Sequence, residues 1–272
     1  MKFIYLLINL SFSIVAFSQL TLVETFVSPT SIDAWTIDGQ NNLLVVSENN
    51  ISKKAINGER RFNQTFKSLG NIQSISPINA MKTLLFSDVQ QSIAIVDNTL
   101  TQQGDIIDLS ELGFSNVVFI CASNRPNLIW VFDQFRSSLN LVDFQKSQIL
   151  QSIQNVEEKD HTILELKEYQ DRLYVLFSDG KMNRYDFLLN FSESYALGNC
   201  LNFGFWNQHI VCLDPNASSF RFVLLEMKSN QRLPEWFDQE IRDKRPITSF
   251  KIQGNTLGIQ KGQEISIYSI KY

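Results

Sequence analysis

Ile129-Trp130-Val131-Phe132-Asp133, a short polar turn, and then Ser138-Leu139-Asn140-Leu141-Val142-Asp143 decide the reading of this chain. The first piece is an unbroken apolar run ending in an acid, as expected of a strand covered on both faces. The second alternates, as expected of a strand with two unlike faces. Working outward, Leu43-Leu44-Val45-Val46-Ser47-Glu48, Leu84-Leu85-Phe86-Ser87-Asp88 and Val175-Leu176-Phe177-Ser178-Asp179 repeat the first piece. Ser92-Ile93-Ala94-Ile95-Val96-Asp97 and Glu264-Ile265-Ser266-Ile267-Tyr268-Ser269-Ile270 repeat the second. Six such segments open near Ile32, Ile72, Val117, Thr162, Cys200 and Ile247. A repeat of about 40 residues built from short strands predicts a β-propeller.

Each full segment reads as a four-stranded antiparallel blade. Strand A lines a central channel, B and C lie between neighbouring blades, and D lies at the rim. Turn formers separate A from B at Asp38-Gly39, Asn124-Arg125-Pro126-Asn127, Trp206-Asn207-Gln208 and Gly254-Asn255. Candidate D strands fall at 62–66, 105–109, 149–153 and 194–197. The sixth segment holds only three strands, at 248–252, 256–260 and 264–270, and an orphan strand, Thr21-Leu22-Val23-Glu24-Thr25-Phe26-Val27, precedes the first blade. An open ring would leave two unpaired edges. The expectation is therefore an all-β, six-bladed propeller whose last blade is completed by the N-terminal strand.

Composition fits one large domain over 19–272: the chain has 272 residues, 44% of them hydrophobic, with a formal net charge of −4. No clustered basic face offers a footprint for nucleic acid. Residues 1–18 differ from the rest: Lys2, then a largely apolar stretch, then Ala16-Phe17-Ser18 before Gln19. That is the pattern of a cleaved secretory signal, and no later stretch reaches the ~18 apolar residues of a membrane span. The expected mature protein is exported, periplasmic or extracellular, and not inserted in a membrane. Cys200 and Cys212 sit at equal parity on the two arms of a hairpin, where a disulfide would fit an oxidising compartment. Adjacent-strand geometry is demanding, and two small buried cysteines are the preferred reading. Cys121 reads as a buried small residue.

The order apolar-apolar-Asp, turn, alternating strand resembles the NHL-type and YVTN-type repeat propellers over essentially the whole of 19–272. The chain lacks the Gly-His to Trp-Asp pairing of WD40 blades, the double glycine of kelch blades and a Tyr-Trp-Thr-Asp motif. The resemblance implies an interaction platform. It also implies an alternative, since some exported propellers of this kind are metal-dependent lactonases.

The acids that end the B strands, Glu48, Asp88, Asp133, Asp179 and Asp214, read as turn caps, each accepting backbone N–H groups of its own hairpin. Gly-x-Ser-x-Gly, His-Glu-x-x-His, P-loop and Cys-x-x-Cys motifs are absent from the sequence. Neither histidine, His161 or His209, has a visible catalytic partner. Oxygen ligands for a hard cation would come from Asp33, Gln73, Asn79, Asn116, Glu165, Asn202 and Asn207, with Asp33, Glu165 and Asn202 the set the lactonase alternative would use. Trp35, Phe119 and Phe203 are expected to fill part of the channel. Residues 228–246 break the repeat; Pro234 would open a short helix there, and Trp236, Phe237, Arg242 and Arg245 form a candidate partner-binding surface. The sequence thus points to an exported, non-catalytic binding or scaffold module without a cofactor, its partner another envelope or secreted protein.

Overall fold

The computed structural model describes residues 19–47, 49–56, 60–157, 161–214, 219–224, 230–231 and 245–271. These form six four-stranded antiparallel sheets. The first holds β2 (Ala34–Ile37), β3 (Asn42–Ser47), β4 (Asn50–Ala55) and β5 (Arg60–Thr65), and the second β6 (Ser74–Asn79), β7 (Lys82–Ser87), β8 (Ser92–Asp97) and β9 (Ile107–Asp108). The third holds β10 (Val117–Ala122), β11 (Leu128–Asp133), β12 (Ser138–Asp143) and β13 (Gln148–Ile153). The fourth holds β14 (Ile163–Tyr169), β15 (Arg172–Phe177), β16 (Lys181–Tyr185) and β17 (Phe191–Ala196). In the fifth are β18 (Asn202–Trp206), β19 (His209–Asp214), β20 (Ser219–Leu224) and β21 (Asn230–Gln231). The last joins β22 (Ser249–Gln253), β23 (Thr256–Lys261) and β24 (Glu264–Lys271) to β1 (Gln19–Val27), which pairs with β24 from Gln19 opposite Lys271 to Val27 opposite Glu264.

The inner strands neighbour one another in cyclic order, β2 to β6, β10, β14, β18 and β22, with β22 returning to β2. Apolar cores lie between consecutive sheets. Leu44, Val46 and Leu85 join the first to the second, Phe86 and Val131 the second to the third, and Trp130 and Val175 the third to the fourth. Tyr174 and Phe203 join the fourth to the fifth, Phe220 and Phe250 the fifth to the last, and Trp35 and Ile267 the last to the first. Burial on both faces explains the unbroken apolar runs: every residue of β11 is buried. The alternating β12 is likewise buried along its whole length, so its polar parity faces a neighbouring sheet. Asn140 donates to Ser138 Oγ and to the Ser138 carbonyl inside that layer.

The last sheet is tied to the first by polar contacts. Trp35 Nε1 donates to Ser249 Oγ and Gln260 Oε1, both at 2.8 Å, and Lys54 pairs with Glu24 of β1 at 2.6 Å. Gly258 makes room for that indole, since a Cβ there would stand 2.7 Å from Trp35 Cζ3.

Turn capping is widespread. Asp133 Oδ1 accepts from the N–H groups of Asn116 and Phe135, and Oδ2 from Ser115; Asp88 accepts from Val89 and Asp179 from Lys181. The turns after the C strands use the same device, unremarked in the sequence reading: Asp97, Asp143 and Asp186 each accept from backbone N–H groups two and three or four residues on.

The structure joins Cys200 to Cys212 in a disulfide, against the preferred reading of two unlinked cysteines, while Cys121 is buried and unlinked. The hairpin brings the two Cα atoms to 5.7 Å, within disulfide range. Asn230 and Gln231, at the start of the segment that breaks the repeat, supply the outer strand of the fifth sheet. The helix expected from Pro234 lies outside the described residues.

Candidate functional site

The inner strands enclose a cavity of about 650 Å³ along the axis of the ring. Its wall carries Glu165, Lys167, Glu168 and Tyr169 of β14, Asn202 and Phe205 of β18, and Lys251 of β22. An inner strand has one edge without a strand partner, so its N–H and C=O groups need other partners. Side chains of the neighbouring sheets meet part of that need. Ser76 Oγ accepts from Ala122 N, Glu165 Oε2 from Phe203 N at 3.0 Å, and Asn202 Oδ1 from Phe250 N.

Glu165 is the centre of a charged cluster. Its Oε2 also accepts from Asn202 Nδ2 at 2.8 Å, while Oε1 faces two ammonium groups, Lys167 at 2.8 Å and Lys251 at 3.8 Å. Lys167 donates as well to the Phe203 carbonyl and lies over the Phe203 ring. Burial pulls the Lys167 pKa down to about 8; Glu165 raises it again, and the second cation, Lys251, lowers it further. Glu168 is turned the other way, toward the third sheet, accepting from Trp130 Nε1 and Asn124 N.

The three residues that the lactonase alternative would use do not converge in this arrangement. Glu165 and Asn202 do come together, but as partners in one hydrogen bond. Asp33 stands at the exposed entrance to β2, its N–H bonded to the Val46 carbonyl, away from the cavity wall. A carboxylate already facing two ammonium groups is a poor ligand for a hard cation, which wants several oxygens and little competing positive charge. Among the described residues no cluster of three or more His, Cys, Asp or Glu is placed to hold a metal.

The aromatic filling is also corrected. Trp35 and Phe203 are buried between sheets, and of the three only Phe119 lines the cavity. Phe205 stacks on Tyr169 instead, with ring centroids 4.2 Å apart, and together they form an apolar part of the wall. Neither lysine was singled out from the sequence. The available signal was parity, since Lys167 stands two residues from Glu165 on the same side of β14.

Of the partner-binding candidates, Trp236, Phe237 and Arg242 lie outside the described residues. Arg245 forms a double hydrogen-bonded ion pair with Glu264, at 3.0 and 3.1 Å. His161 Nδ1 lies 3.9 Å from Asp179, and the His209 ring lies against Trp206.

Sheets of four strands, radially arranged about a cavity with their inner strands in cyclic contact, have a counterpart among solved structures. The Pan2 WD40 domain of Neurospora crassa superposes with a TM-score of 0.65 at 9% identity, covering 92% of this chain and 95% of that one. The fold is a β-propeller. The RRP9 WD40 repeats give a TM-score of 0.64 at 8% identity, covering 93% and 98% of the two chains. The Cps50 (Swd1) β-propeller domain of Myceliophteria thermophila gives 0.62 at 13% identity, covering 88% and 84%. At such identities the likeness shows the fold alone. The narrower resemblance to NHL-type and YVTN-type repeats is not carried by these neighbours. No protein-family model matches the chain, and no curated protein matches it.

Proposed function

We propose that this chain is a six-bladed propeller, closed by its N-terminal strand, that works as an exported, non-catalytic binding module for an envelope or secreted protein. The six sheets and the pairing of β1 with β24 support the blade count and the closure. Export is supported by the signal pattern of residues 1–18 and by the Cys200–Cys212 disulfide, a bond favoured in oxidising compartments.

The observation that carries the binding reading is the tips of two neighbouring B–C turns. Val89 is 70% exposed between β7 and β8, and Phe135 is 79% exposed between β11 and β12, with Arg136 exposed beside it. Equivalent turns of adjacent blades project from the same face of a propeller, and exposed aromatic and Arg side chains are the residue types that dominate protein interfaces. Trp236, Phe237, Arg242 and Arg245 form a second candidate surface.

The test is co-purification from the envelope and culture-medium fractions, comparing wild type with Val89→Asp/Phe135→Asp and with Trp236→Ala/Phe237→Ala. A partner retained by wild type and lost with one pair supports the reading and names the surface. Equal recovery with every variant sinks it. An N-terminus at Gln19 in the exported protein tests the signal, and removal of residues 19–27 tests the closure: a truncated chain that is still a fully stable monomer contradicts it.

A further inference from the structure

The charges on the cavity wall are unevenly paired. Lys251 starts on β22, and its ammonium reaches Glu165 on β14, two sheets away, passing β18. At the far end it meets the same carboxylate oxygen that Lys167 holds 1.0 Å closer, at 2.8 against 3.8 Å. The other oxygen of Glu165 is taken by Asn202 and Phe203 N. The remaining acid on the wall, Glu168, is engaged on the side of the third sheet. Two ammonium groups therefore share the Glu165 carboxylate, Glu168 keeps its own charge on neutral donors at the third sheet, and Lys251, about one-third exposed and the farther of the two, is the less tightly paired cation facing the cavity.

We propose that the cavity binds a small organic oxyanion, with Lys251 as its anchor and the Tyr169–Phe205 pair as the apolar wall beside it. The cavity volume falls within the roughly 300–1,000 Å³ of small-molecule sites. An ammonium is a point charge that accepts carboxylate and phosphate alike. An anion held there would give Lys251 a counter-charge of its own and offset the repulsion that Lys251 adds to the effect of burial on Lys167.

The experiment titrates the folded protein with sodium benzoate and with inorganic phosphate at constant ionic strength, using sodium chloride as the control. Calorimetry and melting temperature are followed in wild type, Lys251→Gln and Lys251→Arg. The expected result is binding and a raised melting temperature in wild type and Lys251→Arg, with affinity lower by about tenfold or more in Lys251→Gln, the loss of one charged hydrogen bond. Benzoate alone assigns the ligand to carboxylates with an apolar part, and phosphate alone to phosphate groups. Equal binding of both keeps the anchor and removes the apolar wall. The proposal fails if neither anion differs from chloride, or if Lys251→Gln binds as wild type does. Reductive methylation of the wild type, mapped by peptide mass, gives a readout independent of any variant. Benzoate or phosphate should slow modification of Lys251 and leave Lys146, 73% exposed, unchanged; equal rates at Lys251 with and without both anions overturn the site.

Discussion

Asp38 and Lys53 meet at 2.8 Å, one carboxylate to one ammonium, each side chain 3% exposed. Glu165, in the cavity, faces two ammonium groups through one oxygen, and its lysines are 24% and 31% exposed. The first pair is closed on itself. Asp38 also accepts from Gln40 N, Asn42 N and Asn42 Nδ2, so its oxygens are well supplied with donors. Burial by itself would raise the Asp38 pKa, yet the bonds from Lys53 and Asn42 outweigh it and hold the group below its ordinary value. In the second cluster two ammonium groups compete for one carboxylate oxygen on the wall of a cavity, while the other acid of the wall, Glu168, is bonded to neutral donors at the third sheet. The difference teaches where charge in this propeller is structural and where it is available to something else.

The largest expected effect is at the closed pair. Asp38→Ala leaves the Lys53 ammonium buried without its counter-charge and should cost about 3–5 kcal/mol in urea unfolding. Asp38→Ala combined with Lys53→Met should recover most of that loss. If the single variant costs no more than an exposed pair, the two clusters do not differ as described.

Glu165→Gln should cost less, about 1–3 kcal/mol, because water in the cavity can solvate Lys251 and the amide can keep part of the bonding to Asn202 and Phe203. A loss as large as that of Asp38→Ala would make the cavity cluster structural. Lys251→Gln without added anion should change stability by no more than a few tenths of a kcal/mol, since its contact with Glu165 is long and partly exposed.

The smallest effect is in pH. The ordinary lysine value is 10.5, and in the folded protein Lys167 is near 8. Between those values the unfolded chain binds more protons than the folded one, so this group makes stability rise with pH; below about 8 its penalty is present in full. Buried Cys121, Tyr174 and Tyr195, whose pKa values are raised by burial, act in the opposite direction, Cys121 above its ordinary value of 9.0 and the tyrosines above 10.0, which limits the window to roughly 8–9. Stability measured across that window should rise more steeply in wild type than in Lys167→Met. On the acid side Asp38 works with the other sign: its contribution is present above its ordinary value of 3.8 and is lost as pH falls through its lower folded value.

Much of the strand pattern was legible because local chemistry dictates it. The run 129–133 and its relatives have no polar parity, so they had to be covered on both faces, and β11 is. Asp88, Asp133 and Asp179 act on N–H groups of their own or adjoining turns, as their position at a strand end implied. The partners of the polar residues in strand 138–143 were not legible: they are buried, with Asn140 bonded to Ser138 and Asp143 to the turn that follows. Lys53 was missed although its parity in β4, with Ile51 and Ala55 on the buried side, marked it as a charge that must have a partner. Glu165 and Asn202 were picked out by residue type, but their bond to each other was not legible, because oxygen ligands and edge-strand acceptors look the same in one dimension.

The sequence by itself determined the short strands, their turns and a repeat that suits a propeller, since these follow from burial pattern and backbone hydrogen bonding within about 40 residues. Tertiary structure alone decided the charge of the cavity. Residues 165 and 167 belong to one repeat and residue 251 to another, and only the arrangement of the sheets about the axis brings the second lysine to a carboxylate that the first already holds. Electrostatic balance depends on distances through space, which no spacing along the chain records.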